Sequence, residues 1–153
     1  VADDAGSETA ERMLDLPARL DDLGLTVSTG RVVDFRAVEH LRQLPGPDTA
    51  PLIYPGHFGA DGYVAWPNPN SRKPNALART IDSENLLVPA GTYVLVRRFS
   101  AKEERRRVVA SIYDAERVSP LPVGFENHLN YFHQRGAGLP MPIAKGLAAA
   151  GSR

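Results

Sequence analysis

From Thr92 to Val96 the chain is β-branched, aromatic or apolar at successive positions, so both faces of a strand there are hydrophobic. That is the pattern of a strand covered on both sides. Arg97 and Arg98 close it. Ser100 and Glu103 follow at the spacing of a capping box, in which each side chain bonds the other residue's backbone N–H. The period then becomes helical. Ala101, Val108, Val109 and Ile112 fall on one stripe, while Lys102, Arg106 and Arg107 face elsewhere. A buried strand running into a basic helix is thus the element around which the chain reads. Such a surface suits a phosphate backbone, and it equally suits a solvated helix face on which acids balance some of the arginines.

The remaining pattern is short and interrupted. Residues 1–12 are small and acidic and read as a flexible lead. A short helix follows, with Asp15 as cap, Pro17 in its first turn, Leu16, Leu20 and Leu23 on one face and Gly24 past its end. Leu25–Val27 and Arg31–Phe35 read as extended segments around a turn at Ser28-Thr29-Gly30. One or two helical turns fit between Phe35 and Leu44, and Pro45–Asp48 is a loop. Pro51–Tyr54 and Gly62–Trp66 read as strands joined by a hairpin connection over 57–62. Pro67–Asn75 is a turn-rich basic loop whose amides and cations suit nucleic-acid edges, or simply water. Glu84–Val88 reads as a strand turned by Pro89-Ala90-Gly91 into the central one. Tyr113–Val123 is a proline-punctuated connection, Gly124–His133 favours a strand over a helix, and a helix starts at Pro142 and runs to Ala150. The sum is an α+β domain, with an antiparallel or mixed sheet flanked by helices, over residues 13–150.

Composition narrows the function classes. At 153 residues the chain is one domain by length, and its formal net charge is zero. The charge is unevenly placed: residues 1–24 carry seven acids against two arginines, and residues 97–107 carry six bases against two acids. There is no cysteine, which excludes disulfides, thiolate catalysis and cysteine zinc sites. No apolar run approaches a membrane span, and the acidic start lacks the regions of a signal peptide, so a cytoplasmic setting is expected.

Self-sufficient catalytic motifs are missing. The histidines are scattered, with no His-Glu-x-x-His, no Gly-x-Ser-x-Gly elbow and no P-loop. Gly136-Ala137-Gly138 is too short for a nucleotide fingerprint. A metal-dependent nuclease with an acid two residues before a lysine is also missing, because Ser71, Ser100 and Ile143 precede Lys73, Lys102 and Lys145. A small metal-dependent hydrolase or nuclease would have to draw on Asp34, His57 and Asp61, and would need them to converge.

Several runs occur in a telling order: Thr29–Arg36, Pro51–Pro55, Lys73-Pro74-Asn75-Ala76, Gly91–Arg107, Glu126-Asn127-His128-Leu129-Asn130 and Ala144–Ala148. Together they resemble the C-terminal target-recognition region of type II adenine-specific DNA methyltransferases. The likeness is to the SalI- and XamI-like modification enzymes, with a TaqI-like specificity domain, and it covers roughly residues 13–149. The Arg-Phe-Ser-x-Lys-Glu-Glu and Glu-Asn-His-Leu-Asn runs are its most specific parts. In such enzymes a separate domain binds S-adenosylmethionine and holds the flipped adenine in an Asn/Asp-Pro-Pro-aromatic motif. Asn68-Pro69-Asn70 lacks the second proline and the aromatic. The resemblance therefore implies a detached or truncated recognition domain that does not methylate alone and carries no cofactor itself, S-adenosylmethionine belonging to the catalytic domain.

The resemblance implies double-stranded DNA as partner, with a separate methyltransferase catalytic domain or subunit as a second. It implies a DNA-facing set of Arg31, Lys73, Asn75, Arg97, Arg98, Lys102, Arg106, Asn127 and His128. An inert remnant or protein-interaction module is the rival reading, in which the bases of 97–107 would pair with the acidic N-terminus.

Overall fold

Two four-stranded sheets carry the chain, and they stack around the strand over Thr92–Arg97. The structure is a computed structural model that describes residues 24–97 and 110–151. The expected acidic lead, the helix expected over 15–23 and the start of the basic helix expected from Ala101 lie outside the described residues. In chain order the strands are β1 (Leu25–Thr29), β2 (Leu41–Arg42), β3 (Thr49–Ile53), β4 (Ala76–Ala78), β5 (Thr92–Arg97), β6 (Ala110–Asp114), β7 (Gly124–Phe125) and β8 (Leu129–Gln134). Among the described residues two α-helices accompany them, α1 (Ala115–Val118) and α2 (Met141–Gly151). The first sheet, ordered β1-β8-β5-β6, is antiparallel throughout. The second, β2-β4-β3-β7, is mixed, because β3 and β7 run parallel. The α+β class stands, with two stacked sheets in place of one.

The double-sided pattern of β5 has a direct cause. Val94 and Val96 point to one side, where Leu25, Phe132, Leu139, Ala144 and Leu147 close a core beneath α2. Tyr93 and Leu95 point to the other, among Ile53, Val123, Phe125, Leu129 and Tyr131 between the sheets. Tyr93, Val94 and Leu95 are fully buried. The ring of Phe125 meets Tyr93 and Tyr113 edge-on, at 5.3 and 5.6 Å between centroids, the favoured geometry for aromatic quadrupoles. Val32, Ala50, Leu52, Tyr54, Leu77 and Leu87 pack on the far side of the second sheet.

Five local expectations give way in the structure. Leu25–Thr29 does not turn back on itself at Gly30; it continues as one strand paired with β8, from Leu25↔Gln134 to Thr29↔Asn130. Gly30 is instead a close crossing. Its amide donates to the Leu129 carbonyl, and a Cβ there would stand 2.5 Å from the Phe125 carbonyl oxygen. After a single bridge at Val32 the expected strand over 31–35 becomes two 3₁₀ turns, Asp34–Arg36 and Val38–His40. Gly62–Trp66 forms only isolated bridges, Phe58↔Val64 and Tyr63↔Ile112. Glu84–Val88 is a 3₁₀ turn with one bridge at Val88, because the Ser83 hydroxyl accepts from the Thr80 amide and donates to the Ala78 carbonyl, which winds the chain locally. Ile112, expected on a helix, lies in β6 opposite Val94, where β5 supplies a full ladder. The strand over 76–78 was not expected from the sequence pattern.

Candidate functional site

Three sheet ends meet at one place. Because β3 and β7 are parallel, with Ile53 opposite Phe125, the residues that follow them, Tyr54 and Glu126, emerge side by side. Glu126 is anchored by its own amide, which donates to the Ile53 carbonyl at 3.0 Å. Arg97 ends β5 opposite Leu129, the first residue of β8. The β7–β8 turn, Glu126 to Leu129, is closed by the Leu129 amide bonding the Glu126 carbonyl at 2.9 Å. These ends, with Lys73 from the 67–75 loop, line an open cleft of about 590 Å³ together with Pro55, Gly56 and His128.

The 67–75 loop owes its shape to Asn75. This side chain is fully buried. Its Oδ1 accepts from the Asn68 amide and from His57 Nε2, both at 2.7 Å, while its Nδ2 donates to the Gln43 and Asn68 carbonyls at 2.9 Å. The Trp66 indole donates to the Asn75 carbonyl at 2.6 Å. Every hydrogen-bonding direction of the amide is used within the protein, so Asn75 holds the loop that presents Lys73. His57 is locked into the same network, with its Nδ1 accepting from the Tyr54 amide at 2.9 Å. Burial pushes its pKa below the ordinary imidazole value, countered in part by the bond to Asn75.

On the cleft, Lys73 is exposed. Its ammonium lies 3.8 Å from the Asp34 carboxylate and 5.6 Å from the centre of the Tyr54 ring. Burial pushes the Tyr54 phenol well above its ordinary pKa, and the negative charges of Asp34 and Glu126 act in the same direction. The Tyr54 hydroxyl is buried and has no hydrogen-bond partner among the described residues. Glu126, only 1% exposed, spends both carboxylate oxygens on His128: Oε1 accepts from its amide at 3.0 Å, and Oε2 lies 2.6 Å from its Nδ1. The His128 side chain is 71% exposed, which leaves its other ring nitrogen as the one open to a ligand.

The structure thus brings three of the expected DNA-facing residues, Lys73, Arg97 and His128, to one cleft. Asn127 is half-buried in the same turn, with its amide on the Val32 carbonyl at 2.8 Å. Arg31 lies apart from the cleft lining, and its guanidinium donates to the Leu87 and Asn85 carbonyls at 3.2 and 3.4 Å. Arg98, Lys102 and Arg106 lie outside the described residues. Tyr54 and Glu126 were not expected at the site. The signal for Glu126 was an acid two residues before an exposed histidine; Tyr54 had none beyond ending an apolar run.

The hydrolase alternative loses its geometry. His57 is buried against Asn75, Asp61 is exposed and 3.5 Å from Arg117, and Asp34 sits beside Lys73. Among the described residues no three acids and histidines gather as metal ligands. No helix among the described residues is long and apolar enough to cross a membrane.

Known proteins give the cleft a context. The chain is 46% identical over 147 residues to the type II methyltransferase M.PstI of Providencia stuartii, a match covering 96% of this chain and 29% of that protein. It is 47% identical over 130 residues to the type II methyltransferase M.BsuBI of Bacillus subtilis, covering 85% of this chain and 26% of the relative. The chain is therefore homologous to a part of type II methyltransferases, and it spans less than a third of the length of these curated relatives. No protein-family model and no solved structure matches it.

Proposed function

We propose that this chain is the target-recognition region of an adenine-specific DNA methyltransferase of a restriction–modification system, and that its cleft faces double-stranded DNA. The observation that carries the reading is the convergence of Lys73, Arg97 and His128 on one cleft, from three separate parts of the sequence. Cations at fixed positions grip phosphates and set register, while polar groups between them read base edges. The similarity to M.PstI and M.BsuBI supports a methyltransferase context. A methyltransferase that acts on a base must extrude it from the duplex, and a region that holds the flanking DNA makes that extrusion productive. In this reading S-adenosylmethionine and methyl transfer belong to a catalytic domain that works with this one, and Asn75 serves recognition by fixing the Lys73 loop.

The test is binding to random duplex DNA at low and moderate salt. Three phosphate contacts give a salt slope near −2.7, so affinity should fall roughly fortyfold between about 50 and 200 mM salt. Replacing Lys73 and Arg97 together by alanine should remove most of that dependence. Duplex binding that is absent at low salt, or untouched by the double change, removes this assignment and favours a protein-interaction module.

A further inference from the structure

Glu126 has no evident part in holding cations, yet a carboxylate buried to 1% beside a cationic cleft must be compensated. Its compensation is local, because both oxygens bond to His128. We infer that the cleft is a built subsite for the phosphodiester backbone of DNA, gripped by Lys73, Arg97 and the protonated ring of His128, with buried Glu126 as the residue that positions the ring. This rests on the DNA reading above and goes beyond it by assigning a pH-linked ligand.

The geometry is specific. With Nδ1 held 2.6 Å from Glu126, Nε2 is the ring nitrogen left for a ligand. On the protonated ring Nε2–H donates to a phosphate oxygen; on the neutral ring, with its proton kept at Nδ1 for Glu126, Nε2 carries only a lone pair and repels one. The charged and titratable groups that line the cleft with His128 are Lys73 from the loop, Arg97 from β5, Tyr54 after β3 and Glu126 in its own turn, with Asp34 beside Lys73. Ammonium and guanidinium groups do not ordinarily titrate near neutral pH, and buried Tyr54 stays a neutral phenol. Of these residue types, an imidazole is the one that ordinarily changes charge in that range. Arg97 has an interaction of its own within the protein and lines the same cleft.

The experiment is duplex DNA affinity of the whole chain from about pH 5.5 to 8 at constant ionic strength. Affinity should fall about tenfold as pH rises, the scale of one charge-assisted bond. His128→Ala should flatten the profile at the high-pH affinity. Glu126→Gln removes the carboxylate that holds the ring and should weaken binding, with circular dichroism as the check on folding. Lys73→Ala and Arg97→Ala should weaken binding at every pH, each lowering the salt slope by about one while keeping the profile. DNA binding with a flat profile, or one that survives His128→Ala, overturns the subsite and leaves the recognition reading standing. Absence of DNA binding at any pH overturns both. Inorganic phosphate that binds and is lost in His128→Ala, without any DNA binding, would assign the cleft to a free phosphate instead of a backbone.

Discussion

His57 and His128 belong to two regions that use the same side chain in opposite ways. His57 Nε2 sits 2.7 Å from Asn75 Oδ1, and His128 Nδ1 sits 2.6 Å from Glu126 Oε2. Distance does not separate them; burial and the charge of the partner do. His57 is enclosed, its partner is a neutral amide, and its second nitrogen is spent on the Tyr54 amide. That ring is structural: it ties the end of β3 to the 67–75 loop and must stay neutral to do so. His128 is exposed and its partner is a buried carboxylate. That ring is turned outward with one nitrogen in reserve. A histidine acts as scaffold or as ligand according to which of its nitrogens the fold has already used.

The contrast can be broken most strongly at Asn75. Asn75→Ala removes four side-chain hydrogen bonds and leaves partners at Asn68, Gln43 and buried His57 without them. We expect a loss of about 3 kcal/mol in urea unfolding, and a loss under about 1 kcal/mol would mean the loop is not built on this amide. Gly30→Ala comes next. A Cβ there collides with the backbone of Phe125 and Glu126, so overpacking should cost about 2 kcal/mol and, by displacing Glu126, also weaken duplex binding. A thermal melt read beside a binding curve tests both halves.

The pH dependence of stability sharpens the comparison further. Burial lowers the pKa of His57 and of His133, so the unfolded chain takes up protons that the folded chain refuses. Stability should be complete above about pH 6.5 and decline as pH falls through the window below it. Urea midpoints collected downward from neutral pH should show this, less steeply in His57→Gln; an unchanged slope would shift the effect to His133. The smallest effect belongs to the cleft. Lys73→Ala touches one exposed charge and should leave stability within about 0.5 kcal/mol while reducing DNA affinity. A large stability loss there would make Lys73 part of the scaffold, held by Asp34 and the Tyr54 ring.

These differences mark what could be read beforehand. The strand over 92–97 was legible because both of its faces are apolar, and the final helix because a proline starts its run. The 3₁₀ turns at Asp34–Arg36 and Glu84–Leu86 were not, since their short apolar runs mimic strands until the partner strand proves to be elsewhere. Lys73, Arg97 and His128 were legible as polar residues in motif-like runs. Asn75 reads from the sequence as a surface residue, and composition cannot tell an amide that faces water from one that ties a loop together.

The sequence alone determined the α+β class, the double-sided central strand, the absence of thiol chemistry and the order of motifs that resembles a methyltransferase recognition region. These rest on local residue type and period, which need no partner to be read. Tertiary structure decided that Gly30 is a crossing and not a turn, that Tyr54 and Glu126 flank each other, and that three distant cationic or titratable residues share one cleft. Those facts follow from the parallel pairing of β3 with β7 and from the register of β5 on β8, contacts between segments tens of residues apart that no local pattern encodes.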